Sequence, residues 1–179
     1  MKKHFKYLMC STLAACTLAV TGAHAADAVP VLIGKSDWLF TPYEFAQQTD
    51  AADTQATVQL FQKANKLFER KGIALALVIV PSKIRIHSDQ LPADKPVDAY
   101  TAGKYENAVK ELRSGGVNVV SLNEAFLSSP HRSSDTPLFL RQDTHWSPSG
   151  AMLAAETIKA AVGSVPALKA ALQETPAVE

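Results

Sequence analysis

An acid and an imidazole stand two residues apart in the stretch Arg141-Gln142-Asp143-Thr144-His145-Trp146-Ser147-Pro148-Ser149-Gly150, a spacing suited to proton transfer. In an extended segment side chains alternate between faces, so Asp143 and His145 are expected on the same side. The carboxylate can then accept from one imidazole nitrogen and fix the tautomer, which leaves the other nitrogen as a base. Directly afterwards Ser147 can cap a helix whose first residue is Pro148, where the missing proline amide goes unnoticed. The pair is therefore expected at a strand-to-helix corner. It supplies two thirds of a catalytic triad, and the nucleophile has to come from elsewhere.

Other side chains could meet a substrate. Ile73 to Val80 is an uninterrupted, partly β-branched apolar run closed by Pro81, the pattern of a strand buried on both faces of a parallel sheet. Ligands of such sheets gather at the carboxyl ends of the strands, so Ser82 and Lys83 are placed to line a site. A Ser-Lys pair can also be a nucleophile and its base, but neighbours on an extended chain point to opposite faces, which favours loop structure or substrate hydrogen bonding for Ser82. His87 reads as a surface loop residue. Trp38 reads either as a core or lid aromatic or as a platform on which a sugar stacks, and Trp146, next to the imidazole, as a second such contact.

The elements that must position these residues follow from periodicity and punctuation. Leu32-Ile33 and Trp38-Leu39-Phe40 flank the turn residues Gly34 to Asp37, which suggests a β-hairpin with Trp38 and Phe40 on one side. Asp53 to Lys71 carries Val58, Phe61, Ala64, Leu67 and Phe68 at helical spacing and ends at Gly72. A second helix fits Tyr100 to Ser114, stopped by Gly115-Gly116, and a second strand fits Val117 to Leu122. A short helical turn at Asn123 to Leu127 and a polar loop from Ser128 to Pro137 lead to a third strand at Leu138-Phe139-Leu140, and a last helix runs from Pro148 to Val162. Helix followed by buried strand is the signature of α/β layering.

The chain has 179 residues, 47 % apolar and 20 % charged, an ordinary globular composition with room for one domain. Its first residues differ in kind. Lys2, Lys3 and Lys6 precede an apolar run from Leu8 to Val20 and an Ala23-His24-Ala25 exit, the layout of a bacterial secretory signal over residues 1–25. Leu13-Ala14-Ala15-Cys16 also fits a lipobox, although the apolar run continues past it to the Ala-x-Ala site. The apolar core is shorter than the ~20 residues that span a bilayer, so no stable membrane span is expected. Cleavage after Ala25 leaves a single domain over residues 26–179 and directs it to the periplasm. It removes both cysteines, and with them any disulfide or thiolate nucleophile, and leaves 15 basic against 17 acidic residues. That balance gives no electrostatic case for a nucleic-acid partner. No Gly-rich phosphate loop follows a strand, so neither a nucleotide nor any other cofactor is expected.

Three separated motifs carry a resemblance. Gly34-Lys35-Ser36-Asp37-Trp38-Leu39-Phe40, then Val80-Pro81-Ser82-Lys83 with Leu91-Pro92 downstream, then Asp143-Thr144-His145-Trp146-Ser147 with Gly150-Ala151, together resemble the SGNH-hydrolase-like domain of the alginate O-acetyltransferases of the AlgJ/AlgX type. The likeness runs from Gly34 to about Ala161. It implies a three-layer α/β domain with a mostly parallel sheet, periplasmic, that transfers acetyl groups from a donor to hydroxyls of an exopolysaccharide, among polysaccharide-assembly proteins. Carried over, Asp143 orients and His145 is the general base, acting with a serine further along the chain.

In the family that serine sits in a Gly-x-Ser type segment after a further strand, whereas only 34 residues follow His145 here. Ser164, in Gly163-Ser164, has no buried strand before it, and Ser147 is committed to a cap. The domain is therefore expected to be C-terminally incomplete, with its nucleophile outside it. Two readings of other classes stand beside the enzyme: a polysaccharide-binding or assembly module that keeps the fold without turnover, and a metal site built from His145, Asp143 and His87 or His131. No HExxH or comparable ligand spacing supports the latter, and no metal is expected.

Overall fold

The computed structural model describes residues 30–166 and 168–170; the expected signal peptide and both cysteines lie outside them. Strands β1 (Leu32–Ile33) and β2 (Leu39–Phe40) form the anticipated antiparallel hairpin, with Leu32 opposite Phe40 and Ile33 opposite Leu39. A 3₁₀ turn at Lys35–Asp37 joins them, and Ser36 and Asp37 both take left-handed backbone angles there (φ 49° and 62°). Trp38 and Phe40 do share a side: their rings stack with centroids 6.0 Å apart.

Two helix-to-strand units follow. Helix α1 (Ala51–Glu69) leads to β3 (Ala76–Ile79), and α3 (Ala99–Ser114) leads to β4 (Asn118–Ser121). The reversal after α3 depends on Gly116, whose φ of 86° is open to glycine and strained for other residues, and the Val117 amide then reaches back to the Leu112 carbonyl at 3.1 Å. The corresponding bond after α1 runs from the Ile73 amide to the Phe68 carbonyl at 3.0 Å. At its start, α3 is capped by the Asp98 carboxylate, which accepts from the Thr101 amide at 2.9 Å.

The strands β3 and β4 pair in parallel, Leu77 beside Val119, Val78 beside Val120 and Ile79 beside Ser121. Their alternating side chains feed two cores. Leu77, Ile79 and Val119 join Val58, Phe61, Val109, Leu112 and Tyr105 beneath α1 and α3. Val78 and Val120 join the opposite core, built by Trp38, Phe40, Ile84, Ile86, Phe126, Leu138, Phe139 and, from helix α5 (Pro148–Ser164), Ala154 and Ile158. Helices thus cover both faces of the sheet, the layered α/β arrangement expected of helix–strand alternation. Between the two units lies a short helix α2 (Lys83–Ile86), and after β4 comes α4 (Asn123–Ser128). No helix among the described residues is long and apolar enough to cross a membrane.

Four expectations are corrected. The span after Pro81 is not simply loop, because α2 and a 3₁₀ turn at Ser88–Gln90 occupy it. His87, expected at the surface, is fully buried. β3 is half-buried rather than enclosed, since among the described residues it has a strand neighbour on one edge only, and Ile73 and Val80 at its flanks are exposed. Leu138-Phe139-Leu140 joins neither sheet; it makes a single antiparallel bridge, Phe139 to Trp146.

Candidate active site

That bridge explains where the acid and imidazole sit. The chain runs out through Leu138-Phe139-Leu140, turns, and returns through His145-Trp146-Ser147. The Leu140 amide donates to the His145 carbonyl at 3.0 Å and the Ser147 amide to the Leu138 carbonyl at 2.9 Å. Asp143 and His145 therefore occupy the turn of a narrow loop, not an extended strand. Their coupling comes from the turn itself: Oδ1 of Asp143 accepts from the His145 amide at 3.1 Å and lies 2.7 Å from the His145 ring Nδ1. The ring bond and then the amide bond hold the Asp143 carboxyl below the usual carboxylate range. An ionised carboxylate can only accept, so the proton lies on Nδ1. Nε2 has no hydrogen-bond partner among the described residues and is left as a basic nitrogen.

The far end of the loop is fastened to α5 as anticipated. Ser147 is the N-cap: its Oγ accepts from the Gly150 amide at 3.2 Å and donates to the Pro137 carbonyl, with Pro148 as the first helical residue. Both roles of the hydroxyl are filled, which removes Ser147 as a nucleophile. Ser164 Oγ bonds the Ala161 carbonyl at 2.6 Å in the last turn of α5. Among the described residues no serine hydroxyl bonds to His145.

An open cleft of about 430 Å³ lies beside the acid, lined by Ser36, Asp37, Leu140, Arg141, Gln142 and Asp143. Trp146, 37 % exposed, is on the returning limb of the same loop. The contribution of the hairpin turn was not foreseen as part of a site. Its sequence signal was the turn chemistry of Gly34 to Asp37, now seen as two left-handed residues at the rim of the cleft.

The other expected substrate contacts are placed differently. Ser82 is partly buried at the start of α2 and lines a separate cleft of about 250 Å³ with Glu44, Arg85 and Tyr105. Trp38 takes the core reading: it is 5 % exposed and packs between Phe40 and the buried His87 ring, the latter at 4.4 Å between centroids. Lys83 is 0 % exposed, and the expected contact with substrate gives way to an internal role. Its Nζ donates to the carbonyls of Leu39 at 2.6 Å, Arg141 at 2.8 Å and Asp143 at 2.9 Å, over the faces of Trp38 and Phe40, each 5.0 Å away. Burial pushes the ammonium down to about 8 against the pull of the Glu44 and Asp143 carboxylates, so it remains charged at neutral pH.

Among the described residues no group of three His, Cys, Asp or Glu side chains is arranged to hold a metal ion. His87 is enclosed by Trp38 and Phe139, and His131 bonds within its own loop to Ser134 and Thr136.

Residues 31–178 match the family model of the SGNH hydrolase-like domain of the acetyltransferase AlgX. The chain belongs to this family. Among its relatives, the probable alginate O-acetylase AlgJ of Pseudomonas syringae pv. tomato is 31 % identical over 147 residues, 82 % of this chain and 36 % of that protein. The AlgJ of Pseudomonas aeruginosa is 29 % identical over 133 residues, 74 % of this chain and 33 % of the relative. The solved O-acetyltransferase domain of Pseudomonas putida AlgJ superposes with a TM-score of 0.66 at 29 % identity, covering 74 % of this chain and 47 % of that one. The structure of Pseudomonas aeruginosa AlgX superposes at 0.60 with 19 % identity, over 76 % of this chain and 32 % of AlgX, a likeness of fold. The SGNH-hydrolase-like α/β fold is therefore that of this AlgX-family chain, which spans about a third of the length of the curated relatives it matches.

Proposed function

We propose that this AlgX-family domain supplies the acid–base pair of a periplasmic O-acetyltransferase acting on an alginate-type exopolysaccharide. The observation that carries the reading is the 2.7 Å bond from His145 Nδ1 to Asp143 Oδ1, with Nε2 unpartnered among the described residues, in an exposed loop beside a cleft. Membership of a family whose relatives include probable alginate O-acetylases supports the substrate class.

In this mechanism Nε2 takes the proton of a serine hydroxyl supplied from outside the described residues. The serine oxygen attacks the carbonyl carbon of the donor's acetyl group, and the imidazolium returns the proton to the departing group. A sugar hydroxyl, deprotonated by the same nitrogen, then attacks the acetyl-serine and regenerates the serine. Asp143 holds the tautomer throughout and stabilises the imidazolium. Trp146 and the cleft formed by Ser36, Asp37, Arg141 and Gln142 are the surface on which the polymer lies. With water as acceptor the same groups hydrolyse an acetyl ester.

A second reading is favoured by one observation, that no serine in the described structure reaches His145: the domain then binds the polymer or an assembly partner without turnover. One experiment separates them. The full chain is assayed for hydrolysis of an activated acetyl ester, with water able to take the place of the serine, and for binding to alginate, alongside His145→Ala. The enzymatic reading predicts hydrolysis that falls on the order of 10²-fold or more in the variant. Retained polymer binding with no hydrolysis by either protein favours the binding module.

A further inference from the structure

Lys83 has no route to solvent, no spare proton and no carboxylate in ion-pair contact among the described residues. Its three acceptors come from two distant segments: Leu39 belongs to β2, whereas Arg141 and Asp143 belong to the loop that carries the acid–base pair. These segments also meet directly, the Leu39 amide donating to the Arg141 carbonyl at 2.8 Å. Three carbonyl oxygens converging on one point repel one another, and a cation with three tetrahedrally arranged donors resolves the conflict. The rings of Trp38 and Phe40 lie against the ammonium and keep water from replacing it. Glu44, from the turn at Pro42–Glu44, brings its carboxylate to the start of α2, where Oε2 accepts from the Ile84 amide at 2.9 Å, and with the Asp143 carboxylate it supplies negative charge near the ammonium. His87, on which Asp89 and Arg132 act, is a further titratable group packed against Trp38.

From this geometry we infer that Lys83 is a positioning residue for the acid–base pair, clamping the main chain of Asp143 to β2 so that its carboxylate is presented to His145. The inference rests on the reading of Asp143 and His145 as that pair. One of the three clamped carbonyls is that of the acid itself, and the Asp143 side chain then sets the ring through Nδ1. Asp143 and its neighbours Arg141, Gln142, Thr144 and His145 are all polar and exposed, so the turn has little apolar packing of its own to hold it. The buried ammonium takes over that task and touches no reacting atom.

The test is Lys83→Met, which keeps the stem between Trp38 and Phe40 and removes the donors. Two readouts are taken on the full chain by NMR: the ring ¹⁵N signals of His145 and the exchange rates of the Leu39 and His145 amides. The expected result is loss of the single Nδ1-protonated signature and an acceleration of those two amides by about tenfold or more, since hydrogen bonds to a charged donor are the strong ones. Amides of the β3–β4 pair keep their wild-type rates. A variant with wild-type His145 signals and amide rates overturns the inference. If Lys83→Met does not fold, the wild-type protein decides: Lys83 ammonium protons protected from solvent exchange support the clamp, and freely exchanging ones refute it. These readouts do not depend on turnover. A changed His145 signature alongside hydrolysis that is indifferent to His145→Ala leaves the clamp standing and removes the catalytic reading, while the reverse pattern removes the clamp alone.

Discussion

A Cβ atom added to Gly150 would lie 2.2 Å from the Leu138 carbonyl oxygen. The first turn of α5 therefore presses directly on the limb that leads into the Asp143–His145 loop, and the contact is with backbone, which cannot swing aside. Gly150→Ala is expected to force the two apart, at a cost of about 1–3 kcal/mol in stability. Because Ser147 also caps α5 through the Gly150 amide, the loop should loosen at the same time. Urea unfolding of the variant against wild type measures the first effect, and the Ser147 amide exchange rate measures the second.

Tyr105 ties the carboxyl ends of the two parallel strands together. Its hydroxyl donates to the Ile79 carbonyl at 2.7 Å and accepts from the Leu122 amide at 3.1 Å. The Ser121 hydroxyl also donates to it at 3.3 Å, so in Tyr105→Phe three partly buried partners lose it, with an expected loss of about 1–3 kcal/mol. Chemical denaturation reads this directly; a change below a few tenths of a kcal/mol would show that water replaces the hydroxyl.

Acid should unfold this protein partly through His87. Its ring is buried between Trp38 and Phe139, and neither nitrogen is bonded among the described residues. Burial pushes it from 6.5 down to about 4, with Asp89 pulling it up and Arg132 and Lys83 adding to the lowering. The folded state thus keeps His87 neutral while the unfolded chain takes up a proton below 6.5. Its contribution is fully present above that value and is lost as pH falls from 6.5 towards 4, by about 2–3 kcal/mol in all. His87→Phe should shrink the stability difference between pH 7 and pH 4.5 by about 2 kcal/mol. An unchanged difference would mean that the ring is protonated in the fold.

The local elements were legible because each is set by neighbours in sequence. The hairpin followed from Gly34–Asp37, α1 and α3 from apolar spacing and terminal glycines, and the α5 start from Ser147-Pro148. Asp143 and His145 were legible as a pair, but for an incomplete reason: alternation on a strand predicted their proximity, whereas a turn in which Oδ1 takes both the amide and the ring of His145 produces it. Lys83 and His87 were misread since their environment is built by tertiary closure. Lysine in a polar-looking segment after a strand carries no local sign that β2 and the Arg141–Asp143 turn will fold over it. The third strand failed for a related reason, Leu138–Leu140 pairing back on its own loop at Phe139 and Trp146 and joining no sheet.

The central claim is that Asp143 holds the proton of His145 on Nδ1 and leaves Nε2 as the base. Ring ¹⁵N NMR of the neutral His145 imidazole, in wild type and in Asp143→Asn, tests it without any substrate. The account predicts a single Nδ1-protonated tautomer in the wild type and a shift towards the Nε2-protonated form in the variant. A wild-type proton on Nε2, or identical spectra from the two proteins, would contradict it.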